Sequence, residues 1–398
     1  MNRKRILFVS GSIGLGHVTR DLAIAREIRA LVPAEIEWLA ASPADRFLVE
    51  AGETLHPAAA RLVDMTAIAE AQSASGGLSL IRYALSARTK WTRNFDVVDE
   101  IMAGGGFDLL IGDETYEISL GYRKRPARKK RPFVMIYDFV GLDAVSKHPF
   151  ERLGVYLWNR NWAGKGLKAR PPVDLGLFIG EEKDVPDTSF GPFLPNRREW
   201  ARARCRFVGY VLDFDPALLS DTGALRAELG YGGSPLVICA VGGTAIGREL
   251  LELCGDAYAE LKRSIPSLEM VLVCGPRLNH RDLRVPPGVK VKGYVHALYK
   301  HFAACDFAVV QGGGTATLEL TALRRPFAFF PIEGHSEQEI SVAGRLSRHK
   351  AGVRLRQSET SPARLAEVIR TNIGIPAQWP PIPVNGARAA AEAISELL

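Results

Sequence analysis

The strongest constraint on how this chain folds is a series of short, uninterrupted apolar runs separated by stretches of helical periodicity. Arg5 to Ser10, Glu35 to Ala40, Phe107 to Gly112, Pro132 to Asp138, Asp174 to Ile179 and Arg206 to Val211 read as strands, and His17 to Leu31 has helical spacing. A strand without polar alternation is buried on both faces, so these runs imply a parallel sheet covered by helices on each side. The pattern breaks over Asp213 to Pro235, rich in Asp, Gly, Ser and Pro, with a short helix near Leu225. It restarts with strands at Leu236 to Val241, Leu268 to Cys274, Val289 to Lys292, Phe307 to Val310 and Phe327 to Pro331. The expected organisation is a doubly wound α/β domain over residues 1–212, a linker over 213–234, a second such domain over 235–385, and a helix over 386–398 that packs back on one of them. The length of 398 residues fits two cores of about 200 residues each. Ligands of such sheets bind at the carboxyl ends of the strands, and two such edges facing each other make a cleft.

Composition narrows the class. Five cysteines are scattered without a C-x-x-C pair, and several sit in apolar runs, so they read as small buried hydrophobes in a reducing compartment. The start, Met-Asn-Arg-Lys-Arg-Ile-Leu-Phe-Val-Ser, has too short an apolar run for a secretion signal and reads as the first strand. No stretch has the length of a membrane-spanning helix, so the expected location is the cytoplasm. A net charge of +7 admits anionic partners without choosing among them.

The chemistry is carried by turns that follow strands. Gln311-Gly312-Gly313-Gly314-Thr315-Ala316-Thr317-Leu318-Glu319 runs from a strand into a helix. Its glycines allow close backbone approach, and the helix start offers free N–H groups and the positive end of a dipole to an anion such as a pyrophosphate. Thr315 and Thr317 add hydroxyls, and Glu319, one turn on, can take the two hydroxyls of a ribose. A purely structural strand–helix turn is the plainer alternative. Glu337 and Gln338 follow the next strand, where they can bind sugar hydroxyls or, as Ser336 to Glu339, merely cap a helix. Gly242, Gly243 and Thr244 form a second glycine turn on the same edge.

In the first half, Gly14, Gly16, His17 and Arg20 follow strand one and open helix one. The spacing is not G-x-G-x-x-G, which excludes a dehydrogenase-type dinucleotide fold. His17 is placed to deprotonate a nucleophile, and Asp113, ending a strand of the same sheet, is placed to orient it; Glu114 competes for that role.

With these residues in view, the chain resembles the GT-B glycosyltransferases. The likeness is to the branch holding the peptidoglycan lipid-intermediate N-acetylglucosaminyltransferase and the UDP-glucuronosyl and plant UDP-glycosyltransferases. Against the plant-type signature, Gln311 replaces a His, Gly313 keeps a Gly, Thr315 stands at an Asn, Ala316 at a Ser and Glu319 at a Glu. Glu337-Gln338 stands where the family has Asp-Gln on the donor sugar, and Tyr294-Val295 in the segment whose backbone holds uracil. The resemblance implies two Rossmann-like domains facing across a cleft, His17 as base with Asp113 as its partner, and a UDP-sugar or TDP-sugar donor. It implies no cofactor and no metal, with inversion at the anomeric carbon.

Three other readings share these residues. Gly14-Leu-Gly16-His17-Val-Thr-Arg20 also resembles the G-x-G-H-x-x-R segment of nucleotide-sugar hydrolases of this fold. A nucleotide-sugar 2-epimerase and a non-catalytic sugar-nucleotide-binding protein are the remaining two. For the acceptor, the basic run Gly121 to Arg131 and the aromatic–basic segment Phe150 to Arg170 suit an anionic membrane surface and a lipid-linked or membrane-associated hydroxyl. A solvated loop and a core-packed helix with a basic outer face are the alternatives. Nucleic acid is excluded as a partner because no aromatics interleave with the basic run.

Overall fold

The computed structural model describes residues 3–11, 16–63, 80–145, 148–164, 172–243 and 246–398, with the backbone alone for 80–89. The chain divides into two units: one runs to Asp213 and takes back Pro383–Leu398, and the other is Phe214–Ile382. Each is a parallel sheet with interleaved helices.

In the first unit the strands are β1 (Lys4–Val9), β2 (Ala34–Leu39), β3 (Thr54–Leu55), β4 (Leu109–Asp113), β5 (Phe133–Tyr137), β6 (Leu175–Ile179) and β7 (Cys205–Gly209). They lie in the order β3-β2-β1-β4-β5-β6-β7. The apolar runs are continuous because successive side chains feed opposite cores. Ile6 and Phe8 of β1 enter one cluster, with Ile24 and Ile28 of the helix Gly16–Leu31. Leu7 and Val9 enter the other, with Phe95, Val98 and Ile118. The order turns back between β1 and β4, so the chain leaves those neighbouring strands in diverging directions and opens a crevice at their carboxyl ends.

The second unit repeats the plan with β8 (Leu236–Ala240), β9 (Glu269–Val273), β10 (Lys290–Lys292), β11 (Phe307–Gln311), β12 (Phe327–Phe330) and β13 (Val353–Arg354). The order is β10-β9-β8-β11-β12-β13, with the reversal between β8 and β11. The two-residue edge strands β3 and β13 lack an apolar run of their own and are missed by the sequence pattern.

One boundary expectation is corrected, and one choice left open is settled. Residues 213–234 are not a free linker: the helix Thr222–Leu229 belongs to the second unit, with Leu225 and Tyr231 in its core and Arg226 paired to Asp306 at 2.6 Å. The C-terminal helix, Gly386–Ser395, belongs to the first unit, where Ala390, Ala391 and Ile394 pack into the cluster built on the helix Gly16–Leu31. Cys239, Cys254, Cys274 and Cys305 are buried free thiols, which fits their reading as small hydrophobes.

Ile394 is fully buried, so Ile394→Ala should cost about 2–4 kcal/mol. Urea unfolding followed by near-ultraviolet signal should show the loss in the first unit, with the second unit's transition unmoved.

Candidate active site

The crevice of the first unit gathers charged side chains from three segments. His17 stands at the second position of the helix after β1, Asp113 closes β4, Glu114 follows it, and Asp138 follows β5. His17 Nδ1 lies 2.8 Å from Asp113 Oδ2. Arg20, one turn further along the helix, spans the carboxylates: Nε and Nη2 donate to Asp113 at 3.0 and 2.5 Å, and Nη1 donates to Asp138 Oδ2 at 2.7 Å. Arg20 Nη2 is also 2.8 Å from His17 Nδ1. A guanidinium only donates, so Nδ1 cannot both accept from Arg20 and donate to Asp113. Placing the proton on Nδ1 gives every donor a carboxylate oxygen and leaves the Nε2 lone pair as the basic site. Nε2 in turn lies 3.8 Å from Glu114 Oε2.

Asp113 is completely buried. Burial alone would raise its carboxyl, but Arg20 and His17 outweigh it and hold the group below the usual carboxylate range. Asp138 behaves likewise: burial works against ionisation, and Arg20 more than compensates. Glu114 adopts a left-handed backbone (φ +50°), an uncommon conformation for a residue with a Cβ and one that concentrates at working sites. Its Oε1 accepts from the Tyr116 hydroxyl at 3.2 Å.

Several of these groups are invisible to motif reading. Asp138 comes from a third strand, with no sequence spacing to His17. Gly11 is another: a Cβ there would meet the imidazole ring at 2.7 Å, so its glycine makes room for His17. A third is Glu117, in the first turn of the helix Tyr116–Lys124, where burial pushes its carboxyl up to about 7. Of the expected acceptor-side residues, Gly16 begins the first helix and Arg20 is central. Gly14 lies outside the described residues.

His17, Glu114 and Asp138 each bring one ligand atom within 4.8 Å of the others. Arg20 donates to Asp138 Oδ2 as well as to Asp113, so one cation already stands beside these atoms.

In the second unit the helix Gly314–Ala322 starts directly after β11, with Gly313 as its N-cap. No side chain caps it, so the first-turn N–H groups are open to an anion. A Cβ at Gly312 would lie 2.7 Å from the Pro331 backbone, whereas one at Gly313 would meet nothing within 4 Å. The first glycine therefore serves close strand packing, and the second leaves the helix start clear. Gln311 is buried, and its Oε1 accepts from the Gly242 N–H at 3.5 Å, tying the two glycine turns across the β8–β11 reversal. Gly242 is exposed and Gly243 half-buried, and Thr244 lies outside the described residues.

Thr317 departs from the expected role. Its side chain is buried and its hydroxyl donates back to the carbonyls of Gly313 and Gly314 at 2.8 and 3.2 Å, so it braces the turn and does not face a ligand. Thr315 and Glu319 share one helix face, four residues apart, with Glu319 8% exposed. Gln338 Oε1 accepts from the Ile332 N–H at 2.9 Å, and Glu337 opens a π-helical turn, Glu337–Val342. The capping-box alternative does not form, because Ser336 is helical and makes no side-chain cap. Arg345, which no motif singled out, donates to the Gly314 carbonyl at 3.1 Å and puts a cation beside the helix start. Tyr294 is exposed and Val295 half-buried, just past the edge strand β10.

The chain is similar to known glycosyltransferases. Residues 237–377 match the glycosyltransferase family 28 C-terminal domain. A lipid-A-disaccharide synthase of Pseudomonas syringae pv. tomato is 40% identical over 281 residues, which is 63% of this chain and 70% of that protein. A UDP-N-acetylglucosamine--N-acetylmuramyl-(pentapeptide) pyrophosphoryl-undecaprenol N-acetylglucosamine transferase of Rhodopseudomonas palustris is 25% identical over 47% of this chain and 56% of that one. Among solved structures, a kitacinnamycin glycotransferase superposes with a TM-score of 0.62 at 15% identity, covering 100% of this chain and 94% of that one. The chain spans about half or less of the length of several other curated relatives it matches. The chain belongs to the GT-B glycosyltransferases, in the branch that carries a family 28 C-terminal domain.

Two outcomes follow from the first crevice. Gly11→Ala should displace the imidazole and lower turnover at least about tenfold with little change in far-ultraviolet circular dichroism. Glu117 binds its proton more tightly folded than unfolded, since its carboxyl rises from 4.5 to about 7. Its unfavourable contribution is therefore absent at pH 4.5, grows as pH rises through that window, and reaches up to about 3 kcal/mol above pH 7. Glu117→Gln should escape that loss, so its stability relative to the parent, measured by urea unfolding, should improve between pH 4.5 and pH 8.

Proposed function

We propose that the protein transfers a sugar, with inversion and without a metal, from a UDP-sugar or TDP-sugar to the hydroxyl of a lipid-linked or membrane-associated acceptor. The observation that carries the reading is the 2.8 Å hydrogen bond from His17 to a completely buried, ionised Asp113. It fixes the imidazole with Nε2 free to take a proton. The acceptor oxygen then attacks the anomeric carbon as the bond to the diphosphate oxygen breaks. Asp113 steadies the imidazolium. The Gly313–Gly314 helix start, with Arg345 beside it, receives the charge on the departing nucleoside diphosphate, and Glu319 is assigned to the ribose.

The donor class is supported by the relative whose name gives UDP-N-acetylglucosamine as its donor. That name also contains an undecaprenol carrier, which supports a lipid-linked acceptor. On this chain the support for a membrane surface is specific. Trp158 and Trp162 of the helix Pro149–Ala163 pack into the first unit, while Phe150, Leu153 and Leu157 stand 72%, 54% and 47% exposed. The outer face of that helix is thus apolar as well as basic, with Arg152 and Arg160 exposed on it, and it suits shallow insertion among headgroups. The basic run contributes less than its seven charges suggest. Arg125, Arg128 and Lys129 are paired with Asp96, Asp99 and Asp174, and Arg123 donates to the Asn161 carbonyl. No described helix is long and apolar enough to cross a membrane.

A screen of UDP- and TDP-sugars for nucleotide release, with and without added acceptor, tests the reading. Release that does not increase with any acceptor would replace transfer by hydrolysis. His17→Ala should lose at least about a hundredfold in turnover, and unchanged turnover would remove His17 as the base. Excess EDTA should leave the rate unaltered.

A further inference from the structure

The sheet-facing stripe of the helix Gly16–Leu31 carries a carboxyl group. Val18, Asp21, Ala25 and Ile28 are all buried, and a spacing of three and four residues turns them to one side. Three of them are apolar. Asp21, completely buried, is the exception. A buried carboxylate normally has a cation or hydrogen bonds at both oxygens. Asp21 has neither: Oδ2 accepts from the Ser10 hydroxyl at 2.6 Å, and Oδ1 is buried without a donor.

Asp21 stands against Asp113, with the two side chains within hydrogen-bonding reach. Strands β1 and β4 pair with Val9 opposite Gly112, which brings Ser10 and Asp113 to the same edge. Two carboxylates are both acceptors and cannot bond to each other. One shared proton turns their repulsion into a hydrogen bond. Their other partners decide which of them holds it. Asp113 accepts from His17 Nδ1 and from Arg20 Nε and Nη2, three donors that favour its ionised form. Asp21 accepts from one neutral hydroxyl. Arg20, its neighbour in the chain, directs its donors to Asp113 and Asp138. The charged groups around Asp21 are thus Asp113 from β4 and Arg20 and His17 from its own helix. Among the described residues, the turn after β1 adds the Ser10 hydroxyl. The proton therefore belongs on Asp21, with Oδ1 as the donor atom. Burial and, after it, the charge of Asp113 raise the Asp21 carboxyl well above the usual carboxylate range.

We infer that Asp21 is a positioning residue for the transfer reaction: a neutral carboxyl that donates a hydrogen bond to Asp113 and holds that carboxylate in line with His17. Ser10, Asp21, Asp113 and His17 then form one chain of hydrogen bonds from the end of β1 to the imidazole. The inference deepens the transferase reading and rests on it for the role of His17 as base.

Infrared difference spectroscopy, and the imidazole titration of His17 followed by nuclear magnetic resonance, test this on the full chain without substrate. The parent at neutral pH should show a protonated-carboxyl C=O band that Asp21→Asn removes. Asp21→Leu keeps the branched shape without a donor. It should raise the His17 midpoint by about half a pH unit or more, because Asp113 then shares its charge with fewer donors. Asp21→Asn keeps a neutral donor and should hold the midpoint at the parent value. An ionised Asp21 gives the opposite sign, since both variants would remove a negative charge near the imidazole and lower the midpoint. Nucleotide release from the UDP- or TDP-sugar that the parent turns over supplies the kinetic readout. The kcat of Asp21→Leu should fall at least about tenfold with KM little altered, its acid limb should move up with the His17 midpoint, and Asp21→Asn should recover most of the loss. A carboxyl band that survives Asp21→Asn, a midpoint lowered in both variants, or Asp21→Leu as active as Asp21→Asn overturns the inference. If Asp21→Leu does not fold, the band and the midpoint of Asp21→Asn still decide it. If band and midpoints come out as expected and no sugar nucleotide is turned over, the transferase reading fails and the proton on Asp21 stands.

Discussion

The first unit's crevice depends on one buried guanidinium. Arg20 reaches from the first helix to the ends of β4 and β5 and pairs with Asp113 and Asp138 together. Without it two carboxylates would sit in a nearly water-free crevice, where each would be driven to take up a proton. Asp113 would then have no negative charge to offer His17. Arg20 is thus less a ligand-binding residue than the condition under which the His17–Asp113 pair can exist.

The same sheet plan delivers the second site. In each unit the strand order reverses between two central strands, β1 and β4 or β8 and β11, and each reversal is where the functional turns emerge. The first carries side chains with charge, suited to moving a proton. The second carries backbone N–H groups, cleared by Gly313 and held in place by Thr317 and Gln311, suited to an anion. A fold used twice in this way puts charged side chains on one sheet edge and free backbone N–H groups on the other.

Much of this was legible in the residues. Continuous apolar runs such as Ile6–Val9 are diagnostic because both faces are buried, and the strand ends they mark put His17 and Asp113 on one edge. The glycine turn at Gly312–Gly314 was legible for the same reason. What the sequence hid depends on packing between distant segments. Asp138 and Arg20 are 118 positions apart, Gly11 matters only through the ring beside it, and Thr317 turns inward because its hydroxyl finds carbonyls one turn back. The outward face of the helix Pro149–Ala163 was hidden for a related reason. Its tryptophans were visible, but which of its apolar residues face outward is decided by the neighbouring helices.

The C-terminal helix has a consequence for how the molecule is made. The first unit is interrupted in the chain by the whole of Phe214–Ile382 and is completed only by Pro383–Leu398. During synthesis the second unit, contiguous in sequence, emerges entire while the first still lacks the Ala390–Ile394 face that covers its opening helix. Domains fold as units as they emerge, so the later half of the chain is finished first. The His17–Asp113 pair of the earlier half waits, its helix uncovered, until the helix Gly386–Ser395 leaves the ribosome.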